Sequence, residues 1–170
     1  MKSIISLLFL ACILSCENRN GEQEKFFSPE KLDLLNLANI DGFWINQSID
    51  TSFNGGGGEI FNLHPGFIEG IGLFNSNQMI WVSVFTSKDT AIIAMESRIA
   101  DVASVIQEGT SDDIVGKWWF LNEGGNSAVF VNQWNTIIEV VLFDAKYADI
   151  EAILYNTANE LANRVDELCK

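Results

Sequence analysis

Residues able to do chemistry are few, and their spacing excludes most chemistries. The single histidine, His64, stands in Leu63-His64-Pro65-Gly66, where proline and glycine signal a turn. One imidazole and no spare cysteine pair cannot build a His-based zinc site. No Gly-x-Ser-x-Gly elbow occurs, and any serine triad would have to draw on that same histidine. Asp112-Asp113 lacks the alternating oxygen ligands of a calcium loop and reads as a solvated turn. The run Asn54-Gly55-Gly56-Gly57-Gly58 has neither the lysine nor the Ser/Thr of a phosphate loop, so it reads as a flexible connection. No metal and no cofactor are expected.

Paired carboxylates remain, because glycoside hydrolysis needs only two acids about 5 to 9.5 Å apart. Glu59 and Glu69 flank the His64 turn, and Glu139 lies in Ile137-Ile138-Glu139-Val140-Val141. Strand alternation groups Glu139 with Ile137 and Val141. On a buried face its carboxyl would be desolvated and its pKa raised; on a solvated face, or beside a lysine, it would be ordinary surface. Tryptophan offers a separate lead. Three of five, Trp118, Trp119 and Trp134, fall within 117–135. Alternation sends Trp118 and Trp119 to opposite faces, and Trp134 lies in an expected turn. Trp119 and Trp134 are therefore the candidate ligand-binding residues, suited to stacking on a sugar, a peptide or a partner protein; packing inside the domain is the competing role.

The elements that must position these groups are legible from periodicity. Phe27-Ser28-Pro29-Glu30 starts a short helix over 29–38, with Leu32, Leu35 and Ala38 on one side. Phe43-Trp44-Ile45 reads as a strand. Residues 67–74 and 79–85 read as a hairpin around Asn75-Ser76-Asn77. A helix capped by Thr86 or Ser87 then carries Ile92, Met95, Ile99, Val102 and Ile106 until Gly109 stops it. Strands are expected at 116–121, 128–131 and 136–143. A last helix, capped by Asp144, has Tyr147, Ile150, Leu154, Ala158, Leu161, Val165 and Leu168 as its stripe. This is an α+β plan: a two-layer sandwich, a mainly antiparallel sheet with two long helices on one face, consistent with a duplicated ββα unit.

The address comes from the N-terminus. Lys2 precedes the apolar run Ile4-Ile5-Ser6-Leu7-Leu8-Phe9-Leu10-Ala11, too short for a bilayer, which needs about 20 residues, and fit for a secretory signal. The sequence Ile13-Leu14-Ser15-Cys16, turning polar at Glu17-Asn18-Arg19-Asn20, resembles a bacterial lipoprotein lipobox. Cys12 is the poorer candidate, because apolar residues continue past it. The resemblance implies cleavage after Ser15 and lipidation of Cys16, with more than one acyl chain anchoring the protein to a membrane. The organisation expected is a signal peptide over 1–15, a lipidated N-terminus and tether over 16–26, and one globular domain over 27–170.

Composition agrees with one exported domain. Of 170 residues 48% are apolar, enough for a single core. Ten basic against 23 acidic residues give a net charge of −13, which opposes nucleic acid as a partner by long-range repulsion. The expectation is a non-enzymatic binding or accessory protein, lipid-anchored at the bacterial cell envelope and facing the periplasm or exterior, with an envelope protein or glycan as partner. A carboxylate-dependent hydrolase of envelope glycans is the first alternative. A structural lipoprotein without a small ligand is the second.

Overall fold

The structure is a computed structural model describing residues 25–44, 61, 63–100, 106–109, 117–123, 126–143 and 150–169. Six strands, β1 (Phe67–Phe74), β2 (Gln78–Phe85), β3 (Ile106–Gly109), β4 (Lys117–Glu123), β5 (Asn126–Gln133) and β6 (Thr136–Leu142), form one sheet in the order β1-β2-β6-β5-β4-β3. Every neighbouring pair is antiparallel. Strands β3 to β6 make a meander, and the β1–β2 hairpin joins it by pairing β2 with β6. Two α-helices follow β2 and β6: α1 (Lys88–Ala100) and α2 (Ile150–Leu168). The α+β class and the antiparallel sheet are those expected from the sequence.

The helices are not on one face. Leu154, Ala158, Leu161, Ala162 and Val165 of α2 pack with Ile80, Val82, Ile138 and Val140. Ala91, Ala94 and Met95 of α1 pack with the alternate set, Phe85, Phe130, Ile137 and Val141. The two-layer expectation is therefore corrected to three layers. The physical reason lies in β6, whose seven residues are all buried: a strand with apolar side chains on both faces requires cover on both.

The N-terminal segment shares the α2 layer, burying Phe27, Leu32, Leu35, Leu37, Ile40 and Phe43. Its helix is a 3₁₀ helix over Pro29–Leu35 that ends in left-handed Asn36 (φ 49°), so Ala38 lies beyond it. The strand expected at Phe43-Trp44 is instead a turn from Asp41, with Gly42 at φ 73°; Ile45 lies outside the described residues. Here Phe43 is buried, its carbonyl accepts from the Gln78 amide, and the Trp44 indole donates to the Leu37 carbonyl at 2.8 Å.

Helix α1 begins with a reciprocal cap. The Ser87 hydroxyl accepts from the Thr90 N–H at 3.2 Å, and the Ser87 N–H donates to the Thr90 hydroxyl at 3.0 Å. The stripe expected to continue to Ile106 does not: α1 is described to Ala100, and Ile106 begins β3, in register with Leu121. Among the described side chains of that stripe Met95 is fully buried and Ile92 and Ile99 partly so, beside buried Ala91 and Ala94. By contrast, the α2 stripe from Leu154 to Val165 is buried as expected; Asp144 and Tyr147 lie outside the described residues.

Candidate functional site

Glu139 occupies the middle of β6, an interior strand, on the face that α1 covers. It is opposite Trp81 of β2 and Phe130 of β5. Beyond Trp81 in the same row stands Gly72 of β1, and a Cβ built there would lie 1.9 Å from Trp81 Cε3. The missing side chain makes the space that the indole fills. The Trp81 Nε1–H donates to the Ser83 hydroxyl at 2.9 Å. Along β6, Ile137 and Val141 bracket the carboxylate and belong to the apolar cluster beneath α1.

Glu139 is 9% exposed, and among the described residues none hydrogen-bonds its carboxylate. Burial pushes its pKa up to about 7, against a smaller opposing pull from the Arg98 guanidinium on α1. Of the two environments the sequence left open for Glu139, the desolvated one is found. Trp81 was not singled out in the sequence; its signal is Gly70 and Gly72, two missing side chains on one strand beside a long aromatic hairpin.

Among the described residues, Glu139 is not paired with the other acid expected from the sequence, Glu69. Glu69 is in register with Val84, which faces α2, so the sheet separates it from Glu139. Glu59 lies outside the described residues, as do the glycine run 54–58, Asp112-Asp113 and Cys16. His64 occupies its expected turn, with Nδ1 3.0 Å from the Pro65 carbonyl and its ring edge-on to Phe85. Among the described residues no group of three or more His, Cys, Asp or Glu converges.

Trp119 and Trp134 are not brought together. Trp119 pairs through its backbone with Phe130, mid-strand, while Trp134 lies in the turn after Gln133, roughly 13 Å farther along β5 at about 3.3 Å per residue. The Trp119 side chain lies outside the described residues. Trp134 is half-buried and packs against the α2-side core. Its backbone is left-handed (φ 54°), unusual for a bulky residue. Its indole N–H donates to Asp166 of α2 at 2.7 Å, and the ammonium groups of Lys25 and Lys88 sit 5.5 and 5.4 Å from its ring centroid.

Around that indole the N-terminal segment is fastened to the fold. Lys25 bridges both Asp166 oxygens at 2.9 and 2.8 Å. The Lys25 hydrogen bond, then those from Trp134 and Gln133, hold the Asp166 carboxyl below its usual range despite partial desolvation. Buried Asn135 accepts from the Phe27 N–H at 2.7 Å and donates to the carbonyls of Phe27 (3.1 Å) and Phe85 (2.8 Å). Lys31 donates to the Leu168 carbonyl at 2.6 Å, and Arg164 donates to those of Leu35 and Asn39 at 2.6 and 2.7 Å. The fold thus already includes Lys25, two residues before the expected start of the domain. Beside this clasp, Cys169 is buried, its thiol pushed up to about 11 by burial and by the Asp166 charge.

No protein-family model matches this chain, and no curated protein matches it. Among solved structures, the extracellular domain of PknH from Mycobacterium tuberculosis is similar in outline, with a TM-score of 0.46 and 11% identity over 85% of this chain and 99% of that one. At that level nothing about ligand or activity transfers. No described helix is long and apolar enough to cross a membrane.

Proposed function

We propose that the chain is a lipid-anchored envelope protein with a binding or accessory role rather than a catalytic one. The observation that carries this reading is the signal-like run ending Ile13-Leu14-Ser15-Cys16 and its short distance from the fold, since Lys25 is already bound to Asp166 nine residues after Cys16. Residues 17–24 are polar or charged except for Gly21, as suits a spacer between lipid and domain. Cleavage after Ser15 leaves 155 residues with nine basic against 23 acidic, a charge of −14, so anchoring falls to the lipid rather than to attraction for anionic headgroups.

Labelled palmitate supplied to cells making the full chain tests the anchor. The wild type should take up label and sediment with membranes, and Cys16→Ala should do neither; an unlabelled wild type starting at Met1 defeats the reading. The binding role is tested by recovering the lipidated protein from its own membranes with whatever co-purifies. Trp119→Ala and Trp134→Ala are expected to lose a co-purifying protein or glycan. For Trp134, a ligand stacking on the indole must displace a lysine. Retention of every co-purifying species by both variants would remove these residues as the contact.

A further inference from the structure

We propose that Glu139 is a proton-operated latch between α1 and the sheet: α1 is seated while the carboxyl is protonated and loosens when it ionises. This goes beyond the envelope reading and does not rest on it.

The backbone of Glu139 is fixed, since β6 is bonded along its length to β2 on one side and β5 on the other. An ionised carboxylate there must be hydrated or repartnered, because a buried unpaired charge is costly. Its cross-strand neighbours, Trp81 and Phe130, are aromatic, and the Trp81 N–H donates to Ser83. Neither β2 nor β5 brings a titratable side chain to this face, and β1 brings glycine at the two positions nearest Trp81. Helix α1 brings one cation, Arg98, partly buried and exerting a secondary pull. Of the other charged groups on α1, Lys88 sits over Trp134, while Asp89 and Glu96 are exposed.

Among the described residues, displacing α1 is therefore a route by which water reaches the carboxylate. The helix is suited to it, with two alanines and one methionine as its fully buried residues and Ile93 56% exposed. Protonated, Glu139 is accommodated in this setting as a neutral group; ionised, it favours the open arrangement. A carboxyl at about 7 when closed and 4.5 when open makes opening about thirty-fold more favourable at pH 8.5 than at pH 5.5.

Hydrogen exchange on the full chain tests this, with rates corrected for the intrinsic pH dependence of amide exchange. Amides of α1 should show that rise in opening between pH 5.5 and 8.5, those of α2 should not, and Glu139→Gln should abolish the rise. Equal rises in α1 and α2, or none in α1, would overturn the proposal. Should the variant fail to fold, the wild type decides alone. An α1 opening that follows the carbon-13 titration of the Glu139 carboxyl supports the latch, and one that does not follow it refutes it.

Discussion

The two faces of the sheet are held by different means. On one, α2 and the N-terminal segment close over an aliphatic layer, then cross-tie through Lys25, Lys31, Asn135, Arg164 and Asp166 to backbone and side-chain partners. On the other, among the described residues, α1 with a small apolar contact and Phe61 cover an aromatic row broken by a carboxylate that no described residue hydrogen-bonds. The chain places its stability on the first face and its tension on the second. A polar group that hydrogen-bonds its neighbours strengthens a core, whereas one left without partners makes that region the easiest to open.

The largest effect is expected on the α2 face. Leu161→Ala should destabilise the whole domain by about 2–5 kcal/mol, read as a shift of the urea midpoint common to fluorescence and circular dichroism. The α1 face should respond to pH instead. Glu139 has a higher pKa folded than unfolded, so its contribution is least harmful below about pH 4.5 and grows unfavourable as pH rises through about 7. A displacement of that size corresponds to about 3 kcal/mol, and the advantage of Glu139→Gln over wild type in denaturation should grow toward that figure between pH 4.5 and 8. Asn135→Ala leaves buried backbone groups of Phe27 and Phe85 without their partner and should cost about 2 kcal/mol, with early loss of exchange protection near Phe27. Smallest is Lys25→Gln, about 1 kcal/mol or less and diminishing with salt, because the Lys25–Asp166 pair is partly exposed. The depressed Asp166 carboxyl adds stability above its unfolded pKa, which is lost as pH falls through the folded one, opposite in sign to Glu139.

Much of the sheet and of α2 was legible because their signals are local. The β1–β2 and β5–β6 hairpins follow from alternation and turn residues, and the α2 stripe from Leu154 to Val165 from its period. Helix placement was not legible from stripes, which say only that each helix needs cover. The usable clue was Ile137-Ile138-Glu139-Val140-Val141, a run with apolar neighbours on both sides of every pleat, which fits a strand buried on both faces. Within the site, Glu139 was visible as a charge in an apolar run. Its surroundings were not, since they depend on the register that places Trp81 and Phe130 opposite. The clasp was hidden for another reason: most of its acceptors are main-chain carbonyls, which carry no residue signature.

Cys169 has a consequence of its own. With a thiol held near 11, only on the order of one molecule in ten thousand carries a thiolate at neutral pH, and the sulfur is shielded as well. Exchange with external disulfides should be slow on both counts, leaving the end of α2 chemically quiet even where oxidants are abundant.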